Sequence, residues 1–125
     1  MKKMNQKICV ALVTGLLAIG TVSTVYAAEN SAGVAEFINK TADSAKKALE
    51  DLQSGRPDEA LVELKNERQY SKEITGQAAS IKLQNANTIV KETMRILNEE
   101  KDIKKAIETL TPAVQKLKEI QDGKY

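Results

Sequence analysis

Residues 45–64 read Ala-Lys-Lys-Ala-Leu-Glu-Asp-Leu-Gln-Ser-Gly-Arg-Pro-Asp-Glu-Ala-Leu-Val-Glu-Leu. Ala45, Leu49 and Leu52 continue the alternating threes and fours begun by Ala35, Ile38 and Ala42. On an α-helix that spacing holds the apolar residues on one face, toward a partner helix. Ser54-Gly55-Arg56-Pro57 stops the helix. Gly55 suits a left-handed cap, and Pro57 suits the first turn of the next helix, where its missing N–H is not needed. Ala60, Leu61 and Leu64 then open a second apolar stripe. The stretch is a helical hairpin.

The hairpin is repeated downstream at an offset of 45 or 46 residues: Leu49 and Leu52 match Met94 and Leu97, and Ala60, Leu61, Leu64 and Ile74 match Ala106, Ile107, Leu110 and Ile120. The spacing predicts four helices, at about 34–53, 57–75, 77–98 and 102–121. Thr75-Gly76-Gln77 and Asn98-Glu99-Glu100-Lys101 supply the second and third turns, and Asp102 is a natural N-cap. The third helix carries Ala79, Leu83, Ala86, Val90, Met94 and Leu97; the fourth carries Ile103, Ala106, Ile107, Leu110, Val114, Leu117 and Ile120. Pro112 predicts a kink near residues 108–112, because an interior proline removes a hydrogen bond and clashes with the turn before it, and Thr111-Pro112 also reads as an N-cap and first-turn proline at which the helix restarts. No sustained period-two pattern competes. A lone hairpin leaves its seam wet, and two can cover each other. The fold class is therefore all-α, an up-down-up-down four-helix bundle of two duplicated hairpins. The alternative is an open stack of hairpins resembling tetratricopeptide repeats, whose unit is about 34 residues and whose aromatic and glycine signature is mostly missing.

Residues 1–27 have the order of a secretory signal. Lys2, Lys3 and Lys7 precede an uncharged run from Ile8 to Val25, and Val25-Tyr26-Ala27 places small residues at the cleavage positions. Thr14, Gly15, Gly20, Thr21, Ser23 and Thr24 dilute that run as a membrane span. The expected mature domain is residues 28–125, with no stable membrane insertion after cleavage. Removing the three lysines from the chain's 19 basic residues leaves 16 against 17 acidic ones, so the mature protein is slightly acidic. Cys9 leaves with the signal, and the chain has no His. Nucleic acid is not an expected partner for such a surface. Thiol and imidazole catalysis are excluded, and no Gly-rich phosphate loop is present. The expectation is a protein that is not an enzyme, located in the bacterial periplasm or secreted.

The run Ala45-Lys46-Lys47-Ala48-Leu49-Glu50 leading into Gly55-Arg56-Pro57-Asp58-Glu59-Ala60-Leu61, together with the signal and the duplicated hairpin, resembles the small metal-binding protein family of histidine-rich periplasmic four-helix bundles. A weaker resemblance is to the YfdX family of exported helical proteins. The first resemblance implies a scaffold that binds divalent metal through helix-borne histidines. This chain departs from it in having none, and copper, nickel and zinc prefer imidazole or sulfur ligands.

Two groups of residues are candidate sites. In an up-down-up-down bundle the first and third turns share an end. That end gathers Asp51, Asp58 and Glu59 with Glu99, Glu100 and Asp102. Clustered carboxylates suit a hard, weakly bound divalent cation, while helix-end electrostatics explains the same acids without a ligand. Arg56, Lys101 and Lys104 are close enough in sequence to neutralise them. Glu59, Glu63 and Glu67 form an i, i+4, i+8 acidic line that reads as a solvated face. On the same helix Glu67, Arg68 and Ser71 stand where the seam calls for apolar residues. With Glu63 and Tyr70 they form a candidate partner surface, or a polar patch at the bundle edge. Asn85 and Asn87 are read as surface or seam-edge residues. The expected function is an exported helical binding or stress-accessory protein, monomeric or dimeric. Its partner is a periplasmic protein or a divalent cation held by carboxylates, and no other cofactor is expected. The alternative is a protein-interaction module of stacked hairpins.

Overall fold

The computed structural model describes residues 33–125, and Val34–Tyr125 forms one compact unit. The signal-peptide reading lies outside the described residues. Helix α1 spans 33–53, α2 spans Pro57–Ser71, α3 spans Ile81–Arg95 and α4 spans Ile103–Gln121. A 3-10 turn, Gly76–Ala78, precedes α3, and a π turn, Ile96–Glu100, follows it. No strand occurs among the described residues.

Contacts between helix ends give the topology. Phe37 at the start of α1 lies against Tyr70 at the end of α2, ring centroids 6.3 Å apart. Lys82 at the start of α3 pairs with Glu119 at the end of α4 at 2.9 Å. Gln121, closing α4, donates to Asn39 of α1 at 2.9 Å. Neighbours are therefore antiparallel, and the first helix meets the last. An open stack would keep those two apart. The molecule is the up-down-up-down bundle.

Its interior is built from small and branched aliphatics. Leu52, Leu64, Val90, Ile96, Leu110 and Ile120 are the largest apolar side chains fully enclosed, set among Ala45, Ala48, Ala60, Ala86, Ala106 and Ala113. Burying each of the large ones contributes roughly 1.5–3 kcal/mol, and the alanines let the helices approach closely. The buried stripe of α1 is Ile38, Thr41, Ala42, Ser44, Ala45, Ala48 and Leu52. It is rotated from the expected one: Ala35 is exposed and Leu49 half-buried. On α3, Thr93 enters the core in place of Met94, its hydroxyl donating to the Ile89 carbonyl at 2.9 Å.

The helix ends depart from expectation where side chains compete for backbone bonds. Helix α2 stops at Ser71, short of residue 75; the Ser71 hydroxyl donates to the Arg68 carbonyl at 3.0 Å, and Ile74 folds inward as a buried loop residue. Helix α3 starts at Ile81, not 77, because Ser80 caps it: extended Ser80 accepts the Leu83 N–H on its hydroxyl at 3.3 Å. Helix α4 is uninterrupted through Pro112. Pro112 and Glu108 are both exposed, so the Glu108 carbonyl, which loses its donor to the proline ring, faces water that can satisfy it.

Candidate functional site

At the end bearing the first and third turns, each turn opens a helix N-terminus, where acids are favoured by the unpaired N–H groups. Five of the six candidate carboxylates there are engaged locally. Arg56 holds Asp51 at 2.9 Å and Glu59 at 3.3 Å. Arg95, at the end of α3, reaches Glu92 at 2.6 Å, Glu99 at 3.3 Å and Glu100 at 2.8 Å, and Lys105 adds a second contact to Glu100 at 2.8 Å. Asp102 accepts the Lys105 backbone N–H at 3.0 Å and so caps α4. Hydrogen bonds from Arg95 hold the Glu92 carboxyl below its usual range; those from Lys105 and then Arg95 do the same for Glu100. Asp58 stands exposed beside a small cleft shared by Leu61, Leu97, Asn98 and Lys101.

The six acids expected to gather at this end therefore do not converge. Among the described residues no group of three or more acidic, His or Cys side chains is placed to hold a metal ion. The physical reason is that guanidinium and ammonium groups from the same turns reach the carboxylates first, and one acid is committed to a helix cap.

The second candidate group is divided by the helical winding of α2. Glu59 is exposed, Glu63 half-buried and Glu67 fully buried. Steps of four residues advance about 40° around a helix of 3.6 residues per turn, so the acidic line winds from water into the core. The reading of Glu67 as part of a solvated face is thereby corrected. Glu67 has 0 % of its surface exposed, and Ser71 is buried with it; neither can belong to an exposed partner surface. Arg68 is half-buried. Tyr70 packs on Phe37, and the Lys40 ammonium lies 5.5 Å from the centroids of both rings.

Neither carboxyl oxygen of Glu67 has a hydrogen-bond partner, and the Thr41 hydroxyl on α1 is likewise unpartnered. The antiparallel register set by Phe37 and Tyr70 puts Thr41, one turn beyond Phe37 on α1, level with Glu67, about one turn before Tyr70 on α2. Burial drives the Glu67 carboxyl up to about 8, opposed by the adjacent Arg68 charge. It is thus a neutral acid at pH 7. In the second half of the duplication its counterpart, 46 residues on, is Ala113, which is fully buried. The signal for this site was present in the weak α2 seam; the spacing Ala60, Leu64, Glu67, Ser71 is that of a buried stripe. Asn85 is exposed, while half-buried Asn87 keeps its side-chain carbonyl inside and unpartnered.

A groove of about 560 Å³ runs between α1 and α4. Ala42, Leu49 and Val114 supply its apolar surface, and Asp43, Lys46 and Lys118 stand among its polar lining. Leu49 is half-buried there, beside the core stripe of α1 that runs through Ala45, Ala48 and Leu52. No described helix is long and apolar enough to cross a membrane. Comparison of the chain with protein-family models, with curated proteins and with solved structures finds no match.

Proposed function

We propose that the chain is an exported, non-enzymatic binding protein that takes a helical segment of a partner protein along the α1–α4 groove. The observation that carries this reading is the groove itself: an apolar strip bordered by charges of both signs, between two helices that run its length. An amphipathic helix laid in such a groove buries its apolar face and pairs its flanking charges. Export is supported by the charge, apolar run and small-residue cleavage pattern of residues 1–27. The cation reading has less support, because the carboxylates that would serve it are engaged by Arg56, Arg95 and Lys105.

A photo-reactive residue placed at Gln53, which lines the groove, tests this in cells exporting the full chain. A discrete adduct is expected there and none from Gln69, exposed on α2. The same diffuse pattern from both positions would defeat the reading. Calorimetric titration with calcium, zinc and copper addresses the cation alternative, for which saturable heats at micromolar protein are required.

A further inference from the structure

A buried carboxyl with neither oxygen bonded is tolerated only as the neutral acid, since an isolated charge in such a place is far more costly. Its location makes that dependence local. The fully buried residues of α2 are Ala60, Leu64, Glu67 and Ser71, so its fully buried apolar anchors lie in the first half, while in the second half the fully buried side chains are polar and the one aromatic contact is half-buried Tyr70 on Phe37. Beyond Ser71 the chain leaves the helix, and Ile74 and Ala78 are the next residues to enter the core. Helix α4, by contrast, is anchored along its whole length by Ala106, Leu110, Ala113, Leu117 and Ile120. Segments with few buried apolar contacts open at lower free energy than the rest of a fold.

We propose that Glu67 is a proton-operated latch for the second half of α2: as the neutral acid it lets residues 67–71 lie against α1, and loss of its proton releases that half-helix while α3 and α4 stay folded. Opening uncovers Thr41 on α1 and gives the carboxylate water. Among the described residues no charged group bonds either oxygen of Glu67. On α2 only Arg68 acts on it appreciably, favouring the ionised form, and Glu63 is half-buried one turn away. On α1, Lys40 is held by Glu36 at 3.0 Å and by the Phe37 and Tyr70 rings. On α3, Lys82 is paired with Glu119 of α4, and Lys118 of α4 lies 3.8 Å from Asp122; Lys116 borders the cleft holding Tyr125.

The closed form holds its proton up to about pH 8, whereas the open form returns to the ordinary value of 4.5. The opening constant of the segment therefore rises with pH between those limits, by roughly 400-fold from pH 5 to pH 8, and levels off above.

Hydrogen exchange followed by mass spectrometry, with rates corrected for intrinsic pH dependence, tests this on the full chain. Peptides covering residues 65–75 are expected to lose protection over that window while α3 and α4 keep theirs. Glu67→Gln and Glu67→Leu should both flatten the response, and the carboxyl carbon of Glu67 should titrate by NMR well above the ordinary glutamate range. A wild-type segment indifferent to pH, opening of all four helices together, or an unchanged response in either folded variant would overturn the proposal.

Discussion

Lys101 stands where Gly55 stands: the two residues are 46 positions apart in the duplicated chain, and both adopt left-handed backbone, with φ of 54° and 77°. In the first turn the glycine closes α1 through a pair of bonds, from the Gly55 N–H to the Leu52 carbonyl at 3.0 Å and from the Arg56 N–H to the Asp51 carbonyl at 2.8 Å. In the third, the Lys101 N–H bonds the Ile96 carbonyl at 2.7 Å and the chain widens into a π turn. A side chain in this conformation costs roughly 1–2 kcal/mol. Lys101→Gly is therefore expected to stabilise the bundle by about 1 kcal/mol, and Gly55→Ala to destabilise it by a similar amount. Urea denaturation of the two variants checks both signs.

Glu67 makes stability fall as pH rises. Its folded value, about 8, lies above the unfolded one of 4.5, so the native state binds the extra proton between those limits. The stabilisation is complete below the unfolded value and is lost as pH climbs through the folded one, by roughly 3–4 kcal/mol between pH 5 and pH 8. Glu67→Leu removes this dependence and is expected to raise stability at pH 8 by a few kcal/mol. Denaturation midpoints measured across that range decide the matter; parallel curves for the variant and the wild type would show that the carboxyl is not the source.

The ion-paired acids act in the opposite direction. Hydrogen bonds from Arg95 lower Glu92, those from Lys105 and Arg95 lower Glu100, and those from Lys82 and Gln115 lower Glu119. Stability from these groups is present above the ordinary glutamate value and lost as pH falls through their lowered ones, which places the maximum near pH 5 when combined with Glu67. Arg95→Gln is expected to return Glu92 and Glu100 toward ordinary titration in an NMR pH series. Because the network is exposed and screened, its effect on unfolding should be small and should shrink further in salt.

Pro112 sits inside an unbroken α4 with its ring toward water. Pro112→Ala restores the N–H that bonds the Glu108 carbonyl and removes the ring clash. It is expected to stabilise by about 1–3 kcal/mol, given a cost of ~3 kcal/mol for interior proline. For a domain of this size each kcal/mol moves the thermal midpoint by about 4–8 °C, so a melting curve suffices.

Four helices, their pairing into two hairpins and the antiparallel bundle were legible in the chain, because periodic apolar residues and turn chemistry are local properties. Leu49-x-x-Leu52 and the stop at Ser54-Gly55-Arg56-Pro57 need no distant partner to be read. The α1 stripe was displaced because alanine and threonine carry little apolar signal, and only packing shows that Thr41 and Ala48 face the core while Ala35 does not. The acidic end was legible as a list of residues but not as a geometry: which carboxylate meets Arg56, Arg95 or a backbone N–H depends on the conformation of each turn.

The sequence by itself determined helix, hairpin and duplication, and it marked Glu67 as out of place on an apolar seam. Only the tertiary structure decided what that misfit means. A glutamate 46 residues before a buried alanine could have been accommodated by rotating α2 to the surface. The fold instead holds α2 by Ala60 and Leu64, and the 40° drift of each four-residue step then carries Glu67 inward. Burial is a property of neighbours, and the neighbours of this carboxyl come from helices far away in the chain.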